Sequence, residues 1–112
     1  MQNKKTIGQT LTHLLKSKQS LCYGQADRWT DSQSGARELR RMIAEAPEKY
    51  VCTTKKGSRG SNYIVYALKG CLKVKNKGIG QWHIVDGAGW QITTEGFKTR
   101  KEAKAQIKEV KR

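Results

Sequence analysis

The sequence predicts an α+β fold in which three helices precede a β-hairpin, and a small sheet closed by a last helix follows. Three observations predict it. Apolar residues recur at helical spacing in three successive segments before residue 47. β-Branched and aromatic runs at 50–54 and 62–68 flank a Gly/Ser loop, and two tryptophan-bearing runs at 81–85 and 90–94 precede a capped helical segment.

In the first segment, Thr6 to Lys18, the residues Ile7, Leu11, Leu14 and Leu15 fall on one helical face, and Lys16 and Lys18 sit where a helix C-terminus favours cations. A second helix is expected over Ser20 to Trp29, with Ser20 as N-cap and Leu21, Cys22 and Ala26 facing inward. Thr30-Asp31-Ser32-Gln33-Ser34 then gathers capping residues, with the Thr-x-x-Gln spacing of a capping box. Ala36, Leu39, Met42 and Ile43 continue at helical intervals, so a third helix is expected to run until near Pro47. The runs Tyr50 to Thr54 and Asn62 to Leu68 read as a hairpin with a long basic tip at 55–61.

Further on, Asp86-Gly87-Ala88-Gly89 suits a tight turn between the strands Gln81–Val85 and Trp90–Thr94, and Cys71 to Lys75 is an additional strand candidate. Thr99-Arg100-Lys101-Glu102 has capping-box spacing and opens a final helix with Ala103, Ile107 and Val110 on its inner face. Two units are therefore expected, 1–69 and 70–112.

Charge bounds the function. The 112 residues contain 23 Lys+Arg and 9 Asp+Glu, a formal net charge of +14. The excess lies in both halves, with 13 basic and 5 acidic residues in 1–70 and 10 and 4 in 71–112. That distribution suggests a continuous positive surface for a polyanion, and nucleic acid is the expected partner. Hydrophobic content of 36% with three Trp and four Tyr argues against a disordered tail. No stretch approaches the ~20 apolar residues of a membrane span. Met1 to Lys5 lead into the first helix without a signal-peptide core, so an intracellular site, in the cytoplasm or nucleoid of a bacterial host, is expected without membrane association. Cys22, Cys52 and Cys71 are odd in number and lack a CxxC pair, so they read as buried thiols rather than a disulfide framework or zinc site. No metal or other cofactor is expected. His13 and His83 stand far from any acidic cluster, and the carboxylates Asp86, Glu95 and Glu102 make only a weak nuclease set, so no enzyme activity is expected.

The order helix, helix, helix, basic hairpin over residues 6–69 resembles the winged helix-turn-helix family of small phage and mobile-element regulators. The segment Ser32-Gln33-Ser34-Gly35-Ala36-Arg37-Glu38-Leu39-Arg40-Arg41 looks like its recognition helix. Gly24 and the Cys22-Tyr23 pair depart from the usual turn region. The tryptophan strand followed by Gly96-Phe97-Lys98-Thr99-Arg100-Lys101-Glu102-Ala103 resembles the sheet-plus-helix DNA-binding modules of the AP2-like and integrase arm-binding type.

The resemblance implies sequence-selective binding to double-stranded DNA, as a transcriptional regulator or a replication or recombination accessory factor. Ser32, Gln33, Ser34, Arg37, Arg40 and Arg41 would read the major groove, with Gln33 and Arg37 on bases, Arg41 shared and Arg40 on phosphate. The alternative for Arg40 and Arg41 is pairing with Glu38 and Glu45. Lys55, Lys56 and Arg59 would form the wing, in a minor groove or along its phosphates, and Lys101, Lys104, Lys108 and Lys111 a phosphate-contacting stripe on the last helix. Trp29, Trp82, Trp90 and Phe97 are expected in the core; were the last three exposed, they would be stacking platforms for RNA or single-stranded DNA. A basic surface engaging a protein partner, as in a counter-defence protein, is the reading from a different class.

Overall fold

Thr6 starts the first helix, α1 (Ile7–Lys16), through a reciprocal capping box. Its hydroxyl accepts from the Gln9 N–H at 3.1 Å while the Gln9 side chain accepts from the Thr6 N–H at 2.9 Å. The computed structural model describes residues 6–30, 33–56 and 62–110. Leu11 and Leu15 are fully buried. The helix ends in a Schellman arrangement, with Lys18 N–H donating to the Leu15 carbonyl and Gln19 N–H to that of Leu14. The left-handed residue of that motif is normally glycine, yet here it is Lys18, at φ 69°.

The second helix, α2 (Tyr23–Thr30), starts three residues later than the sequence predicts. Tertiary bonds claim the intended first turn: Leu21 exchanges both backbone hydrogen bonds with Tyr66, at 2.8 and 2.7 Å, and Ser20 donates to Asp86. The capping box expected at Thr30 is also replaced. Thr30 Oγ1 donates back to the Ala26 carbonyl at 2.7 Å and so closes α2. The third helix, α3 (Gly35–Glu45), is held at its start by Asp27 of α2, whose Oδ1 accepts from the Ala36 N–H at 2.7 Å. A Cβ on Gly35 would overlap the Ala26 carbonyl oxygen, so the close α2–α3 crossing requires glycine. Buried Pro47 follows α3 in a 3-10 turn, Pro47–Lys49, as a helix stop should.

The strands β1 (Tyr50–Lys56) and β2 (Asn62–Leu68) form the expected antiparallel hairpin, Tyr50 opposite Leu68 and Lys56 opposite Asn62. Lys55 and Lys56 belong to the strand, whereas the tip with Arg59 lies outside the described residues.

Two expectations for the C-terminal part are corrected. The strand β4 (Trp82–Asp86) pairs along its length with β3 (Leu72–Asn76), and residues 90–94 form no ladder, contributing a bridge between Gln91 and Val85 and the Ile92-to-Ile84 and Asp86-to-Trp90 backbone hydrogen bonds. Side-chain bonds replace the missing ladder: Thr93 Oγ1 accepts from the Ile84 N–H at 3.1 Å and lies 3.1 Å from His83 Nδ1. The last helix, α4 (Arg100–Ala105), is capped by Thr99 as predicted, but it stops well short of Val110. The chain turns extended, and β5 (Lys108–Glu109) covers the open edge of β1, with Val51 opposite Glu109 and Cys52 opposite Lys108. On a helix, Ile107 and Val110 would share one face. As extended chain they reach two different cores, Val110 against the helices and Ile107 against the second cluster.

Those two cores lie on either side of the hairpin sheet. Leu11, Leu15, Leu21, Ala26, Leu39, Ile43 and Tyr50 form one, while Val51, Val65, Ala67, Leu72, Ile84 and Ile92 form the other. The second draws on both sides of residues 69 and 70. Further links join the two halves, from Ser20 to Asp86 and from the Gly87 N–H to the Lys18 carbonyl at 2.9 Å. Among the described residues, no helix is long and apolar enough to cross a membrane.

Candidate nucleic-acid interface

Leu39 and Ile43 turn one face of α3 inward, which leaves Arg37, Arg40 and Arg41 exposed on the other. Their surroundings differ. Arg41 is engaged by Glu38 and Glu45, three residues before it and four after, the spacings at which helical side chains meet. These contacts hold the Arg41 guanidinium above its usual range, and the hydrogen bond from Arg41 holds the Glu38 carboxyl below the ordinary glutamate value. The Arg40 guanidinium lies over the Tyr23 ring, 4.8 Å from its centroid. Arg37 has no carboxylate within ion-pair distance among the described residues. Gln33 and Ser34 are exposed in the turn before the helix, and Ser32 lies outside the described residues.

On the hairpin, Lys55 is half-buried opposite Tyr63, while Lys56 points to Glu95 at 3.8 Å. The lysine stripe expected on the last helix does not exist as one surface. Lys101 and Lys104 stand exposed on α4, Lys108 belongs to β5, and Lys111 lies outside the described residues.

The aromatic residues bring the largest correction. Trp29 and Trp90, expected in the core, are 49% and 65% exposed, and Tyr63 is 38% exposed. All three line one narrow cleft, with Lys55 and the side-chain amides of Gln19, Gln25 and Gln91 around it. Trp82 and Phe97 are half-buried and bridge each other, and of the two Phe97 packs against the second core.

Asp86 builds the wall that carries Trp90. Its Oδ2 accepts from the Ser20 N–H and hydroxyl, both at 2.9 Å, and its Oδ1 from the N–H groups of Ala88 and Trp90, both at 3.0 Å. Only 3% exposed, this carboxylate is fully occupied by donors and ties the 86–90 turn to the segment between α1 and α2. The signal for an exposed tryptophan was its place directly after Asp86-Gly87-Ala88-Gly89, where a turn leaves little to pack against.

Several other acids also meet donors or cations, most of them at the surface. Asp27 caps α3, Glu38 and Glu45 hold Arg41, Glu95 faces Lys56, Glu102 receives the Lys98 N–H at 3.3 Å, and Glu109 faces Lys69 at 3.6 Å. Arg41, Lys56 and Lys69 are the described cations with a carboxylate in reach, so most of the positive charge points to solvent uncompensated. Among the described residues, no three His, Cys, Asp or Glu side chains gather in a way that could hold a metal ion, and the cysteines, expected to be buried, are unpaired and only half-buried. His83 is buried against Thr93 and His13 is exposed on α1. No family model matches the chain, and no curated protein or solved structure is significantly similar to it.

Proposed function

We propose that this protein binds double-stranded DNA through the outer face of α3 and the β1–β2 hairpin, in the manner of a winged helix-turn-helix, and acts by binding rather than catalysis. The observation that carries this reading is the pair Arg37 and Arg40. They stand exposed one turn apart on a helix whose opposite face is anchored by Leu39 and Ile43, with no carboxylate on either side chain among the described residues. Arginines on a firmly packed helix can pair with guanine edges in the major groove. Arg41, held by two glutamates, is a helix-stabilising residue in this reading rather than a base reader. The hairpin adds Lys55 and Lys56, and the uncompensated charge of the whole chain supplies attraction to phosphate. A regulator of transcription, or an accessory factor in replication or recombination, is the role that such binding serves.

Selection of a preferred duplex from a random library, followed by polarisation binding of variants, tests this. Arg37→Ala should weaken the selected duplex by roughly 5- to 150-fold, the equivalent of one base-reading arginine, and relax choice at one position. Arg41→Ala should change affinity little. Equal loss from both substitutions, or no preference for any duplex, would overturn the assignment.

A further inference from the structure

We infer that the cleft between α2, the β1–β2 hairpin and the 86–90 turn is a second nucleic-acid site, which stacks the unpaired bases of a single strand on Trp29, Tyr63 and Trp90. This goes beyond duplex binding: it shares Lys55 with the proposed duplex surface, but the stacking residues Trp29, Tyr63 and Trp90 are its own.

Large aromatic side chains cost free energy when left in water, and a soluble domain normally buries them. Here three of the exposed large hydrophobic residues, Trp29, Tyr63 and Trp90, converge on one depression. The fold has gone to some length to hold Trp90 there. Four donors fix the Asp86 carboxylate, two of them the N–H groups of the turn that ends at Trp90, so the indole projects from a rigid support.

The remaining lining favours a nucleobase over an apolar protein surface. Among the described residues, Gln25 uses its side-chain oxygen on the Cys22 N–H and its amide N–H group meets no acceptor, while Gln91 uses its N–H on the Thr93 carbonyl and its oxygen meets no donor. Such amides match the donor and acceptor pattern of a base edge. Lys55 supplies positive charge at the wall, and Asp86, the one acid among the described residues that line the cleft, is fully engaged by its four donors. Aromatic faces interleaved with cations are the device by which single strands are held without a duplex.

Lys18 strengthens the reading. It occupies a left-handed conformation that glycine would adopt without cost, immediately before the cleft residues Gln19 and Ser20, and its carbonyl accepts the Gly87 N–H. The Lys18 side-chain stem lies against Gly87, so a second basic residue is kept at a strained position next to the 86–90 turn.

The test uses the whole chain with short oligo(dT), oligo(U) and a blunt duplex of equal length, read by polarisation and by tryptophan fluorescence. Single strands should quench the fluorescence, and the stronger ligand of the two oligomers tells whether DNA or RNA is preferred. Trp90→Ala and Trp29→Ala should each weaken single-strand binding by roughly 5- to 150-fold while duplex affinity stays within about twofold. Trp90→Phe should keep most of the affinity. Lys18→Gly should raise the melting temperature yet weaken the single strand several-fold, a combination that a purely structural role would not give. Unchanged single-strand affinity in both tryptophan variants would overturn the inference. So would a dimer, seen by sedimentation, that Trp90→Ala dissociates, because the aromatics would then be an interface between copies. Failure of the duplex to bind would count against α3 and leave the cleft standing.

Discussion

Asp86 shows how much one buried carboxylate can organise. Its four hydrogen bonds join a turn to a segment 66 residues earlier in the chain. Asp86→Ala leaves several donors without an acceptor, and since each such loss costs about 1–3 kcal/mol, a destabilisation of about 3 kcal/mol is expected in urea unfolding. The aspartate was legible as a turn residue from Gly87 and Gly89, but its bond to Ser20 was not, because nothing local in either segment encodes a partner so distant. The Glu38–Arg41 contact was legible, since i,i+3 spacing on a helix brings these groups together regardless of tertiary structure. It makes a pH prediction. The Glu38 carboxyl is held below its ordinary value by Arg41, so its contribution is fully present above the unfolded-state value and is lost as pH falls through the lowered folded one. Stability curves of the wild type and Glu38→Gln should therefore run apart at neutral pH and converge in the acid range, below about pH 4. Parallel curves across that range would show that the contact stabilises nothing.

At the scale of elements, boundaries set by local side chains were easier to read than those set by tertiary pairing. Thr99 announces α4 through its own side chain, and the prediction of that start holds. The end of α4 depends on the open edge of β1, which no local pattern reveals, and Ile107 and Val110 keep the same spacing whether the chain is helical or extended. The beginning of α2 was displaced for the same reason, by the pairing of Leu21 with Tyr66. The α2–α3 crossing rests on Gly35, where an added methyl would overlap the Ala26 carbonyl oxygen and crowd the Thr30 hydroxyl. Gly35→Ala should thus cost about 1–3 kcal/mol despite the better helix propensity of alanine, because backbone has to move. If instead the substitution is neutral or stabilising in thermal melts, the crossing is looser than described. The displacement of α3 would also lower duplex affinity, since Arg37 and Arg40 ride on that helix.

For the molecule as a whole, composition already indicated a polyanion partner, and the structure gives the charge a geometry. Asp27 caps α3, Glu38 and Glu45 hold Arg41 and Asp86 anchors the turn, so these acids are already engaged and most described cations have no carboxylate in reach. Trp29 and Trp90 were the least legible residues of the candidate sites. Large aromatics are core residues so often that the one local signal, the turn before Trp90, carried little weight, and Trp29 had none. The two expected units turn out to share the cluster of Val51, Val65, Ala67, Leu72, Ile84 and Ile92, which fixes the hairpin and the 86–90 turn relative to each other. The most direct measurement of the central claim is the affinity of the selected duplex as a function of salt, for the wild type and for Arg37→Ala. The account predicts a steep line for the wild type, with a slope in log–log form of about −0.9 per phosphate contact and a magnitude above about 3, and a nearly parallel line for Arg37→Ala displaced to weaker binding. A shallow slope, or an Arg37→Ala line that coincides with the wild type, would contradict it.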